Sequence, residues 1–242
     1  YFSHFKICGQ KNWKLIEPVI ALLDKCKEEG INVSYDQYPY VAGSTMLGVI
    51  LPPWAHAGGT DKLIERLKDK SLREKMKEDI IKGIPGWDNF IDFAGFDGIY
   101  VTSVKTDKNQ DCIGKNLTEI AEMRGKEKFD AVFDLLMEEE NAVGMYAYYG
   151  KDEHIVTFMR RPESNICTDG LLGGKPHPRV YGSFPRVLGK FVREMQTMSL
   201  EEAIYKMTHK PAVTFKIENR GLLKEDYFAD IVIFDESKII DK

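Results

Sequence analysis

Histidine and cysteine are scarce in this 242-residue chain, with five of the first and four of the second. Cys8, Cys26, Cys112 and Cys167 stand far apart with no CxxC spacing. That argues against a disulfide framework and favours a reduced, cytoplasmic setting. Positive charge is also short. Lysine and arginine total 34 against 38 acidic residues, a net charge of −4, so the chain offers no basic field to nucleic acid or an anionic membrane. The local pair Arg160–Arg161 reads as a solvated helix end. No apolar run approaches a membrane span, no charged-then-hydrophobic leader opens the sequence, and no internal repeat or low-complexity tract is found. What is present is ample apolar material, 43% of residues, enough for one large domain or one domain and part of another. The first residues, Tyr1 to His4, read as the end of a strand already under way. Ile231 to Asp235 reads as a strand that needs a partner. The expectation is a fragment cut at both ends.

Along the chain the pattern alternates. A strand over 1–8 carries His4 and Lys6, placed on one face by the two-residue strand period. A helix from about Trp13 to Glu29 stops at Gly30, and Ile31 to Tyr38 forms a second strand ended by Pro39. Strand–helix–strand order predicts parallel pairing. From 41 to 125 the rhythm breaks into a glycine- and proline-punctuated loop, a charged helix over 61–82 and short strands, an insertion suited to a lid. Helices are predicted over 129–140, 152–161, 184–195 and 199–208, the last with Ser199 and Glu202 as a capping box. A strand is expected over 142–149, and a small β unit near the C-terminus. His154 and His209 fall in helical surroundings and are expected at the surface or at helix ends.

The segment that organises the rest is Asn165-Ile166-Cys167-Thr168-Asp169-Gly170, a short apolar strand ending in an acid and followed by Gly173, Gly174, Pro176 and Pro178. An acid where a parallel strand gives way to a loop can ligate a metal or take a proton from bound water. An isolated Asp-Gly of this kind is otherwise a turn or a helix cap. Three further sets carry chemistry. His4 and Lys6 pair an imidazole, a zinc donor, with an ammonium suited to an anion, against a core histidine beside a surface lysine. Tyr38-Pro39-Tyr40 with Gly43-Ser44-Thr45 offers hydroxyls that orient a carboxylate or carbonyl, against plain packing and turn. His177-Pro178-Arg179 presents a fork of donors for a carboxylate, against a surface ion pair.

Ser3-His4-Phe5-Lys6, Asp36-Gln37-Tyr38-Pro39-Tyr40-Val41-Ala42-Gly43-Ser44-Thr45, Leu51-Pro52-Pro53-Trp54-Ala55-His56 and Thr168-Asp169-Gly170 occur in that order. Then come Pro176-His177-Pro178-Arg179, Gly182-Ser183-Phe184-Pro185-Arg186-Val187-Leu188-Gly189, and Arg220-Gly221 with Ala229-Asp230-Ile231-Val232-Ile233-Phe234-Asp235. Together they resemble the N-acyl-D-amino-acid deacylases (D-aminoacylases) of the amidohydrolase superfamily over essentially the whole chain.

The resemblance implies an α/β fold: the C-terminal portion of a distorted (β/α)8 barrel of the TIM type, with an insertion and part of a small β-sandwich. It divides the chain into partial barrel over 1–215, interrupted at 41–125, and partial sandwich over 216–242. It implies zinc-dependent hydrolysis of the amide of an N-acyl-D-amino acid, a small-molecule substrate, with one or two zinc ions in a complete enzyme and an inactive fragment. His4 resembles a zinc ligand, Asp169 the metal-touching acid and base, and Lys6, Tyr38, Ser44 and Arg179 the residues that hold substrate. Tyr146, Tyr148 and Tyr149 fall near the family's acyl or side-chain pocket. The family's other ligands, a His-x-His, a cysteine and a further histidine, are absent from these residues, and Phe5 stands where the family often has a second histidine. Competing readings are a cyclic amidohydrolase of the hydantoinase or dihydropyrimidinase kind, a non-catalytic assembly module with open sheet edges, and, most distantly, a nucleic-acid binder.

Overall fold

In the computed structural model, which describes residues 1–242, two sheets share the work of positioning side chains. The first is a parallel pair, β1 (Tyr35–Gln37) against β5 (Ser164–Ile166), with Tyr35 opposite Ser164 and Gln37 opposite Ile166. All six residues are buried, as expected of a parallel sheet covered on both faces. Before β1 runs α1 (Ile16–Glu28), entered through a 3-10 stretch, Gln10–Leu15, and ended at Gly30, whose φ of 73° favours a residue without a side chain. Tyr35, Ile7, Leu23 and Phe158 close a small core between α1, β1 and α7 (Asp152–Arg160).

Between β1 and α7 lies the second unit. β2 (Ala42–Met46), β4 (Gly144–Tyr148) and β3 (Ile99–Ser103) form an antiparallel sheet with β4 at its centre. Its covering helices are α2 (Gly59–Lys68), α3 (Lys70–Lys82), α4 (Phe90–Ala94), α5 (Leu117–Arg124) and α6 (Lys128–Glu138). The largest apolar cluster, 22 buried residues from Leu47 to Tyr149, belongs to this unit. The packing of this unit runs past Gly125 through α6 and β4. The Glu139 carboxylate fastens its far end, accepting from the backbone N–H groups of Lys105 (2.6 Å) and Thr106 (2.7 Å) and from the Asn109 amide (2.5 Å).

After β5 the chain forms α8 (Arg179–Arg186), which contains Pro185 and continues as a π-helical stretch, Val187–Glu194. Proline removes a backbone donor and crowds the preceding turn, and the wider winding follows it. α9 (Leu200–Met207) begins at Ser199, whose hydroxyl accepts from the Glu202 N–H at 3.1 Å, and α10 (His209–Thr214) follows. Lys206 in α9 is buried. Its ammonium donates to the carbonyls of Met159 (2.8 Å) and Arg161 (2.6 Å), capping the C-terminal end of α7.

Several expected elements take another form. Residues 1–8 make only one parallel bridge, Phe2 to Tyr35; His4 adopts a left-handed backbone (φ 44°), after which the Phe5 N–H still donates to the Asp36 carbonyl at 2.8 Å. The second strand is confined to Tyr35–Gln37. Residues 216–242, expected to hold a sandwich strand, contain none. Ile231, Val232 and Ile233 are 61%, 82% and 94% exposed, with no neighbouring strand in this chain to pair with. The last residues instead lie on α8. The Asp241 carboxylate accepts from the Tyr40 hydroxyl and from Arg186, each at 3.0 Å, and Ile239 and Ile240 cover Gly189. No helix is long and apolar enough to cross a membrane.

Candidate active site

Three segments leave the parallel strands at the same end. His4 follows the Phe2 bridge, Tyr38 follows β1, and Asp169 follows β5 by three residues. Strands paired in parallel release their loops on one side, so residues far apart in sequence meet at one mouth. There the protein has a cleft of about 900 Å³, and His4, Lys6, Tyr38, Ser44, Asp169 and Arg179 all line it. The structure thus brings all six residues singled out from the sequence to one place.

Arg179 is the centre of the arrangement. It opens α8, its side chain is 2% exposed, and its Nη1 lies 2.9 Å from an Asp169 carboxylate oxygen. Its Nη2 donates to the Ser44 carbonyl at 3.0 Å, and the guanidinium lies 4.6 Å from the centre of the Tyr38 ring. Nε has no partner. Lys6 stands 4.9 Å from the same ring, so two cations share one aromatic side chain. The Lys6 ammonium donates to the His4 carbonyl at 2.5 Å and lies 2.9 Å from His4 Nδ1. Burial depresses the lysine pKa. Nearby Cys8 and Asp169 oppose the shift, and Arg179 adds to it.

Tyr38 is held from behind. Its hydroxyl is 3.2 Å from that of Tyr149, and both side chains are buried. Burial pushes the Tyr149 phenol up to about 12, and raises Tyr38 as well, so both stay protonated donors near neutral pH. Gly43 makes the pair possible. A Cβ there would run into the Tyr149 hydroxyl and come within 2.7 Å of the Tyr38 hydroxyl. Neither Gly43 nor Tyr149 stood out as a partner of Tyr38 in the sequence. The glycine in the YPYVAG run was the available signal.

His177 sits behind Arg179 rather than in the cleft. It is buried beside Tyr40, with ring centres 5.1 Å apart, and its Nδ1 accepts from the Arg179 backbone N–H at 3.0 Å. Burial, reinforced by Arg179 and Arg186, lowers its pKa to about 4, so it is a neutral brace for the start of α8. His154, expected at the surface or at a helix end, lies in the first turn of α7 but is buried there, edge-on to Trp13, and burial lowers its pKa too. The helix face it occupies packs inward, beside Phe158. His56 is outside the cleft, on the wall of an adjoining recess, with its Nε2 2.9 Å from the Gly48 carbonyl.

His4 and Asp169 share a backbone feature. Both are left-handed, with φ of 44° and 45°. Such conformations are uncommon outside glycine and concentrate where function requires them. The Asp36 carboxylate holds the first one in place, accepting from the His4 N–H at 2.6 Å.

Zinc is ordinarily held by three or four protein ligands. No group of three or more histidine, cysteine, aspartate or glutamate side chains comes together in this chain. Cys167, two residues before Asp169, is a poor third donor, since burial and the neighbouring Asp36 raise its thiol pKa and disfavour the thiolate. His4 and Asp169 are two donors at one cleft, and on their own they do not fit a complete zinc centre.

Comparison with known proteins accords with this geometry. Residues 168–242, which include Asp169 and Arg179, match the model of the amidohydrolase family. A D-aminoacylase of Alcaligenes xylosoxydans xylosoxydans is 32% identical over 240 residues, 99% of this chain and 40% of that protein. An N-acyl-D-glutamate deacylase of the same organism is 30% identical, with the same coverage. The crystal structure of N-acyl-D-glutamate deacylase from Bordetella bronchiseptica, with zinc and a phosphonate mimic of the tetrahedral intermediate, superposes with a TM-score of 0.73. It is 28% identical, over 99% of this chain and 41% of that one. The chain thus spans about two fifths of the length of these relatives.

Proposed function

We propose that this chain carries the substrate-gripping and proton-transferring half of an enzyme that hydrolyses the amide bond of N-acyl-D-amino acids. The Asp169–Arg179 ion pair at the head of the cleft, with Lys6 beside it, is the observation that carries the reading. The free carboxylate of the substrate takes the Arg179 fork and the Lys6 ammonium, charge-assisted bonds suited to that group. Because Arg179 already holds a carboxylate, an arriving substrate competes with Asp169 and frees it.

Asp169 then accepts the proton of the water that attacks the amide carbonyl carbon. The carbon–nitrogen bond breaks, and the proton passes to the departing nitrogen, leaving a carboxylate and a free amine. Tyr38, fixed by Tyr149, offers its hydroxyl on the same wall. Fixing the α-carboxylate sets which face of the α-carbon meets the reacting water, and positioning of this kind is worth up to about 7–11 kcal/mol. That is the basis for D over L selection.

Zinc, present in the N-acyl-D-glutamate deacylase structure, needs donors beyond His4 and Asp169. The proposal assigns them to a portion of the protein outside these residues. It also takes β1 and β5 as strands of a larger β/α barrel. On this reading the chain alone is inactive.

The test is amine release by the full-length protein from paired N-acetyl-D- and N-acetyl-L-amino acids, with a hydantoin and a dihydropyrimidine alongside. Turnover of the D-series alone is expected. Turnover of the cyclic amides alone would replace this reading with a cyclic amidohydrolase.

A further inference from the structure

Past Val49 the cleft runs into a second recess of about 520 Å³, and the two hollows share Val49, Asp88 and Phe90. Met46, Pro53 and Trp87 form other parts of its wall, and no lysine or arginine lines it. The cleft's own lysine and arginine, Lys6 and Arg179, cluster with Tyr38 at the carboxylate-gripping end. Asp88 is exposed, and its carboxylate has neither a hydrogen-bonding nor an ion-pairing partner. The nearby lysine Lys11 is committed to Asp92 instead. An unpaired carboxylate attracts a cation by charge and repels a second carboxylate, and Trp87 and Phe90, which line the same recess, add the attraction of their ring quadrupoles. The stretch leading to it, Val49 and Phe90 with Phe93 and Leu15 on the cleft wall, suits an aliphatic stem.

We propose that this recess is a subsite for an ammonium or guanidinium group, so that the substrate is an N-acyl-D-amino acid whose side chain ends in a cation. The inference rests on the function proposed above and names its substrate class. The α-carboxylate lies at Arg179 and Lys6, the stem crosses Val49 and Phe90, and the cationic tip meets Asp88 and Trp87. Dicarboxylic substrates are disfavoured, because their second carboxylate faces Asp88 and finds no lysine or arginine there; His56, also on this wall, has its Nε2 2.9 Å from the Gly48 carbonyl.

Calorimetric titration of the protein with N-acetyl-D-arginine and with N-acetyl-D-citrulline, its uncharged near-isostere, tests this at low salt. The arginine derivative is expected to bind about five- to tenfold more tightly, in the range of a partly exposed cation–π and ion-pair contact. That ratio should fall towards one in Asp88→Asn, and shrink in Phe90→Leu. Far-UV circular dichroism of each variant checks its fold, and Asp88, being exposed, is suited to substitution. Equal or tighter binding of citrulline, a ratio unchanged in Asp88→Asn, or no binding of either compound overturns the subsite. Amine release from the same two compounds separates the two readings. A persistent binding ratio without turnover keeps the subsite and overturns the hydrolysis, whereas turnover with a ratio of one does the reverse.

Discussion

The Arg179 guanidinium, buried except for 2% of its side chain, holds the Asp169 carboxylate at 2.9 Å across the head of the cleft. On the proposed reading, one cation faces both the proton acceptor and the substrate carboxylate, so substrate entry would release the acid. The first two expectations turn on that coupling.

Asp169→Asn in the full-length protein is expected to lower kcat by about 10²–10⁴, the usual loss for a general base. Its affinity for N-acetyl-D-amino acids should rise, since the competitor for Arg179 is gone. Asp169 is 35% exposed, so solvent screens the pair, and leaving the buried Arg179 without its partner is expected to cost about 1–3 kcal/mol of stability. Ligand should then raise the melting temperature of the variant by more than it raises that of the wild type. Steady-state kinetics and thermal melts check both parts, and an unchanged kcat removes Asp169 from its role.

Arg179→Lys keeps the charge but loses the planar fork, the bond to the Ser44 carbonyl and the contact with the Tyr38 ring. Affinity for the free-acid substrate should fall at least about tenfold, roughly 1.4 kcal/mol. The loss on the corresponding primary amide should be smaller. Titration of the acid and the amide into both proteins measures the difference.

Gly43→Ala places a methyl group against the Tyr149 hydroxyl. Overpacking of this sort costs about 1–3 kcal/mol. Substitution of Tyr149→Phe in the same chain removes the obstructing oxygen and should recover part of that loss. Chemical denaturation of the single and double variants reads the coupling.

His177 gives the protein a pH dependence. Its pKa is lowered in the folded state to about 4, from an ordinary value near 6.5. Between those values the unfolded chain binds the extra proton, so stability is complete above about pH 6.5 and declines as the pH falls towards 4. The full effect is roughly 3 kcal/mol at 1.36 kcal/mol per unit. Denaturation midpoints across that window should decline in the wild type and decline less in His177→Phe.

Much of the site was legible because its residues sit where strands hand over to loops, and Asp169, Tyr38 and His4 each follow a short apolar or bridging segment. The Arg179–Asp169 pairing was less so. Ten residues separate the two, and only the fold of the glycine–proline loop returns the guanidinium to the acid. His154 was read as a surface or helix-end residue and does fall in the first turn of α7, but its burial was not legible, because helical periodicity shows which residues share a face, not which face packs inward. The expected strand at Ile231–Phe234 has strong β character, yet a strand requires a partner, and this chain supplies none. Tyr149 gains its significance from Tyr38, more than 100 residues away, and no local pattern carries that information.

The most direct test is the structure of the protein with an N-acetyl-D-amino acid bound. The substrate carboxylate should displace Asp169 from Arg179, reach hydrogen-bonding distance of Arg179 and Lys6, and leave Asp169 turned towards the amide. An intact Asp169–Arg179 pair with the ligand bound elsewhere would contradict the account.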